Sequence, residues 1–150
     1  MSDFIETRII AAIRKLLTGR VNELLRDYEF HIPIIEFCDY GGHYYGHGYG
    51  AVPVVALSSC EKSEKERIIR LDAYTVSITF ALPESFESEE QCYAYGAAVC
   101  QAVKEKPTLG GVVDRAAMTG EKYTPPKKPG CGDCWCVALT LRITVEEMNQ

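Results

Sequence analysis

AYTVSITFAL, residues 73–82, alternates residue by residue. Tyr74, Val76, Ile78, Phe80 and Leu82 occupy every second position, with Ala73, Thr75, Ser77, Thr79 and Ala81 between them. Successive side chains of a strand point to opposite faces, so this period of two describes a strand with one buried face. WCVALTLRITV, residues 135–145, repeats the pattern: Trp135, Val137, Leu139, Leu141, Ile143 and Val145 form one face, and Cys136, Ala138, Thr140, Arg142 and Thr144 the other. Two such strands need a common cover for their apolar faces. The segment between them supplies one.

Pro83 stops the first strand, and Ser88 with Gln91 has the spacing of a capping box at the start of a helix. Glu87, Glu89 and Glu90 sit where the positive end of the helix dipole favours acids. Cys92, Tyr95, Val99, Ala102 and Val103 recur at intervals of three and four, which gives one apolar face, while Ala94, Gly96, Ala97 and Ala98 keep the helix thin enough for close approach to a sheet. Lys104 and Lys106 suit its C-terminal end and Pro107 closes it. Val112–Met118 reads as a further strand and Thr119–Gly132, rich in Pro, Gly and Lys, as an exposed loop.

Towards the N-terminus, Asp3 and Glu6 form a second capping-box pair ahead of a stripe made by Ile5, Ile9, Ile13, Leu16 and Leu17. Gly19 is expected to end that helix, and Val21, Leu24, Leu25 and Tyr28 suggest another short helical turn. Ile32–Cys38 and Val52–Leu57 read as strands, each with a proline near its start, which favours edge or strand-end positions. The mixed charges of Glu61–Arg67 read as a solvated hairpin turn leading into a long strand from Ile68 to Leu82. The order is helix, three strands, helix, two strands. This predicts one α+β domain over residues 1–150, with a mainly antiparallel sheet of about five strands and the N-terminal and central helices packed on it.

A chain of 150 residues with 47% hydrophobic content can bury one real core. Its 16 basic and 21 acidic residues give a net charge of −5, which argues against a protein whose main task is to neutralise a phosphate backbone. No apolar run approaches the ~18 residues of a membrane span and no signal-peptide pattern opens the chain, so a cytoplasmic setting is expected. The seven cysteines, an odd number without a secretory signal, read as reduced thiols.

Four segments taken together resemble a known family: LDAYTVSITFALPE (71–84), YAYGAAVCQAV (93–103), KPTLGGVVDRAAMTG (106–120) and VALTLRITVE (137–146). Their order and character are similar to the tail terminator proteins of long-tailed bacteriophages and prophages, also called tail completion or minor tail proteins. The resemblance spans roughly Ile68–Glu146, and its most specific element is Thr108, Leu109, Gly110 and Gly111 directly after the helix. It implies a structural protein of phage morphogenesis. Such a protein caps the tail tube as a ring, expected to hold six copies, ends tube polymerisation and forms part of the head–tail joining interface. The implied partners are further copies of itself, the tail-tube protein, the head–tail connector, and DNA that passes through the lumen without sequence-specific binding. No membrane is involved. The implied location is the neck end of the virion tail, after assembly in the host bacterial cytoplasm.

Two segments fall outside the family pattern. The loop Asp39–Gly50 holds five glycines, four tyrosines and two histidines, a mixture of flexible backbone and aromatic contacts like that of recognition loops. Tyr40, His43, Tyr44, Tyr45, His47 and Tyr49 are its candidate interaction residues; a hairpin tip without a partner is the plainer alternative. CGDCWC supplies Cys131, Cys134 and Cys136, thiols that could bind zinc given a fourth ligand from Cys38, Cys60, His43 or His47. No metal or other cofactor is expected as the main reading, and a zinc-stabilised cysteine-rich interaction module stands as the alternative. There is no GxSxG, P-loop, HExxH or dinucleotide fingerprint, so no enzyme is expected. A thiol-dependent enzyme pairing a cysteine with His31, His43 or His47 is the third class. His31 itself reads as structural, and Cys92 and Cys100 as small buried hydrophobes.

Overall fold

The ladder between the two alternating strands organises the protein. In the computed structural model, which describes residues 4–35, 52–66, 69–128 and 134–148, β2 (Ile69–Pro83) and β4 (Cys134–Met148) pair antiparallel without interruption from Ile69 opposite Met148 to Pro83 opposite Cys134. β1 (Val54–Glu66) flanks β2 and β3 (Arg115–Thr124) flanks β4, giving the order β1-β2-β4-β3 with every neighbouring pair antiparallel. The fold is α+β, as the alternation implies, with four strands among the described residues where about five were expected.

Tyr74, Val76, Ile78, Phe80 and Leu82 of β2 and Val137, Leu139, Leu141, Ile143 and Val145 of β4 all enter one hydrophobic core, with Trp135 packed partly against it. The central helix, α3 (Ser88–Glu105), covers this face through Cys92, Tyr95, Val99, Ala102 and Val103. Its Tyr95 ring stacks on Phe80 with centroids 4.4 Å apart. Gly96 permits the close approach expected of a thin helix, because a Cβ there would stand 2.6 Å from the Tyr123 hydroxyl of β3. Leading out of the same core, α1 (Ile5–Leu16) contributes Ile9, Ile10, Ile13 and Leu16. Both helices therefore lie on one side of the sheet. Thr75, Ser77, Thr79, Ala138, Thr140 and Thr144 line the opposite side, and none of them joins the core.

Five local expectations change. Gly19 does not end the first helix: the chain runs on through a single π-helical turn, Leu17–Val21, into α2 (Asn22–Arg26). Ile9, Ile13, Leu17, Val21 and Leu25, all buried, repeat every four residues, and such a stripe drifts around an α-helix of 3.6 residues per turn. The wider turn takes up the drift and keeps the stripe against the core. The Ser88–Gln91 capping box does not form, and the Asp3–Glu6 pair falls partly outside the described residues. The N-cap of α1 is Phe4 and that of α3 is Glu87, each without a side-chain cap, and Asp3 lies outside the described residues. Ser88 instead donates its hydroxyl to the Pro83 carbonyl at 2.6 Å, and Gln91 donates to the His31 carbonyl at 3.0 Å.

Ile32–Cys38 is not a strand over its described part: only Ile35 makes an isolated bridge, and residues 36–38 lie outside the described residues. Pro33 has no N–H to give a ladder, and side chains take the backbone groups around it. Glu61–Glu66 are not a turn, because they continue β1 along β2 with a bulge between Glu64 and Glu66; Arg67 lies outside the described residues. Exposed charges on an edge strand discourage pairing with another sheet, which is the physical sense of Glu61, Lys62 and Glu64 there. Finally, the strand expected at Val112–Met118 begins at Arg115 and extends to Thr124, into the stretch read as a loop, with a bulge between Met118 and Gly120.

Candidate interaction surface

Among the described residues, the turn after α3 is where backbone geometry departs furthest from the ordinary. Leu109, Gly110 and Gly111 take φ values of +50°, +75° and +90°, three left-handed residues in succession. Glycine adopts that region without penalty, while a residue with a Cβ pays for it, so the two glycines carry most of the turn. Thr108 holds it closed: its carbonyl accepts from the amides of Gly111 (3.0 Å) and Val113 (3.1 Å), and its hydroxyl accepts from Gly111 at 3.2 Å. Leu109 is buried in the core, which fixes the turn to the body of the protein.

This turn forms one wall of an open groove of about 630 Å³ whose other wall is α1 and the π-turn. Leu16 and Leu109 are buried at its base, with Ala12 and Val112 half-buried above them. Arg8, Lys15 and Lys106 stand exposed around it, and Arg20 completes the basic rim. Arg20 is pinned by a 2.7 Å contact to Glu105 at the end of α3 and a 3.1 Å contact to Glu23. Those hydrogen bonds push the Arg20 guanidinium further up from its ordinary value. Glu105 is correspondingly lowered to about 2, first by Arg20 and then by Gln101.

The bend that positions the π-turn is held by polar side chains that sequence patterning did not single out for this role. Buried Asn22 donates to the Ile35 carbonyl at 2.7 Å and to the Thr18 carbonyl at 3.2 Å, and accepts from the Ile35 amide at 2.7 Å. Tyr95 donates its hydroxyl to the Pro33 carbonyl. An asparagine within the apolar stripe, two positions before Leu24, was the available signal.

Thr108, Leu109, Gly110 and Gly111 thus form one built feature. Tyr40, His43, Tyr44, Tyr45, His47 and Tyr49 lie outside the described residues, as do Cys38 and Cys131. Cys134 and Cys136 fall on the same side of β4, with Trp135 turned towards the core, and no group of three or more His, Cys, Asp or Glu side chains able to hold a metal occurs among the described residues. Burial pushes the Cys92 thiol up to about 12, with Cys136 nearby adding to it, and Cys136 is also raised, by burial and then by Cys134. Thiols shifted upward stay protonated at neutral pH, the opposite of what a nucleophile needs. His31 is exposed, and its carbonyl is what engages Gln91.

No helix among the described residues is long and apolar enough to cross a membrane. No model of a known protein family matches the chain, and no curated protein matches it.

Proposed function

We propose that the chain is a structural subunit of a phage tail neck, one copy of a ring that caps the tail tube, ends its growth and meets the head-side connector. The observation that carries this reading is one-sided layering: among the described residues α1 and α3 pack on one face of a four-stranded sheet, leaving a half-buried face of small residues on the other side and a basic groove. A ring closes through heterologous contacts, in which one patch meets a different patch on the next copy, and such a subunit needs unlike surfaces on one body. The raised thiols of Cys92 and Cys136 weigh against those two as the nucleophile of the thiol-enzyme alternative. Within the proposal the ring holds six copies, and the acidic balance of the chain suits a lumen that repels phosphate and lets DNA slide.

Tube assembly in vitro tests this. Tail-tube protein of the phage or prophage that encodes the chain is polymerised with and without it, and products are measured by electron microscopy. Arrested tubes with an added ring of density at one end are expected. Tubes of unchanged length with bare ends would overturn the reading.

A further inference from the structure

The turn between β2 and α3 presents the most exposed apolar side chain of the described residues. Phe86 is 95% accessible, and its neighbours along the chain are Glu84, Glu87, Glu89 and Glu90. A lone exposed apolar residue is ordinary on a protein surface. What distinguishes Phe86 is that its complement exists elsewhere on the molecule. The groove beside the Thr108–Gly111 turn has an apolar base and a rim of Arg8, Lys15 and Lys106, with Arg20 there already paired to Glu23 and Glu105, so the rim stays net positive. It is a local basic site on a chain whose net charge is −5.

The two patches occupy opposite ends of α3. Phe86 precedes its first residue, Ser88, and Lys106 follows its last, Glu105. A helix of 18 residues is about 27 Å long at 1.5 Å per residue, so one molecule cannot close this contact on itself. Two copies can, and when they join head to tail the pairing leaves one knob and one groove unused at its outer ends. That is a heterologous head-to-tail contact, which propagates until it closes.

We infer that the acidic knuckle around Phe86 of one copy docks in the basic groove between α1 and the Thr108–Gly111 turn of the next. An aromatic ring entering a pocket with an apolar base is the kind of anchor that dominates association energies, and the surrounding charges set orientation and encounter rate. The inference deepens the ring reading by naming the contact through which copies would join; the contact itself stands on the two patches and their separation along α3.

Sedimentation of the purified chain at low salt, up to about 1 mM, tests it. Wild type is expected to self-associate, and Phe86→Ala and Lys15→Glu are each expected to weaken association about tenfold or more. Both side chains are exposed, so both variants should melt at the wild-type temperature; Lys106→Glu replaces Lys15→Glu if that variant melts early. The deciding arm is an equimolar mixture of the knob variant and the groove variant. It retains one intact knob and one intact groove, so it should form a 1:1 dimer and nothing larger while wild type forms species beyond the dimer; a wild type that stops at a dimer would show an isologous interface and overturn the head-to-tail contact. A wild type that stays monomeric throughout, variants that associate as wild type does, or a mixture that forms no dimer would overturn the inference. Variants that assemble normally would leave the ring reading standing with a different interface, whereas head-to-tail pairing without any effect on tube growth would support this contact and count against the tail role.

Discussion

Along β2 and β4 every second side chain enters the same core, whereas the bend from Leu17 to Ile35 is tied down by Asn22, Gln91 and Tyr95 reaching individual backbone groups. In the ladder the stabilising contacts are many and interchangeable in kind, so each contributes by burial and the pattern repeats. In the bend the contacts are few and directional. Losing one there leaves a buried polar group without that partner. The comparison separates stability that is spread over a surface from stability concentrated in single hydrogen bonds.

The hardest test of the distributed half is Phe80→Ala, which removes a fully buried ring and its stack on Tyr95. Loss of about 3–5 kcal/mol is expected from urea unfolding. Leu141→Ala, also fully buried, should cost about 2–5 kcal/mol. Thr79→Ala, one residue from Phe80 on the opposite face, should stay within about 0.5 kcal/mol of wild type, as surface changes do. Equal losses at Phe80 and Thr79 would mean that the sheet is covered on both sides and that the two faces have been wrongly contrasted.

For the concentrated half the corresponding change is Asn22→Ala, which strips both the amide and the carbonyl of Ile35 of their partner. Abandoned buried backbone groups cost about 1–3 kcal/mol each, so this small, polar deletion should approach the effect of removing a core leucine. Asn22→Asp keeps an acceptor for the Ile35 amide but loses the donor for its carbonyl. Hydrogen exchange at Ile35 reads the difference directly: strong deprotection in Asn22→Ala is expected, with less in Asn22→Asp. Unchanged protection in both would show that the bend does not depend on this side chain.

The same contrast explains what could be read from the chain in advance. Period-two burial along 73–82 and 135–145 and the three-and-four spacing of α3 repeat many times, so each residue corroborates its neighbours, and those elements were legible. Ser88 and Gln91 have the spacing of a cap, yet both reach carbonyls that only the tertiary fold brings near. A local motif competes with partners that no local window contains. Glu61–Glu66 misled for a related reason: their charges describe solvent exposure correctly, and an edge strand is exposed too. The four residues Thr108–Gly111 stood out as a motif, but the groove they help to wall required α1 to lie opposite, a long-range arrangement invisible in spacing.

Two glycines sharpen the comparison by opposite signs. Gly111 has φ of +90° with open space around it, so Gly111→Ala should cost about 1–2 kcal/mol from the backbone alone, without any clash. Gly19 lies inside the π-turn, has no positive φ and also faces open space. Gly19→Ala should therefore stabilise by about 0.5–1 kcal/mol, since alanine is the better helix former. A destabilised Gly19→Ala would indicate that this glycine terminates a helix after all. Thermal melts of the two variants side by side decide it.

The smallest effect belongs to the ion pair that anchors the π-turn to α3. Arg20 holds the Glu105 carboxyl down to about 2 from an ordinary 4.5, so the folded state favours the charged form. A depressed folded value contributes stability that is present above the unfolded value and lost as pH falls through the folded one. Both side chains are substantially exposed, and screening keeps the contribution small. Glu105→Gln should thus melt slightly below wild type at neutral pH, with a gap that closes as the pH is lowered from 4.5 towards about 2 and that shrinks in high salt. A gap that persists unchanged across that range would mean the loss comes from the fit of the glutamine amide against Arg20 and Gln101 and not from the glutamate's charge. The tie between the bend and the central helix would then be geometric, of the same kind as Asn22, with charge adding nothing to it.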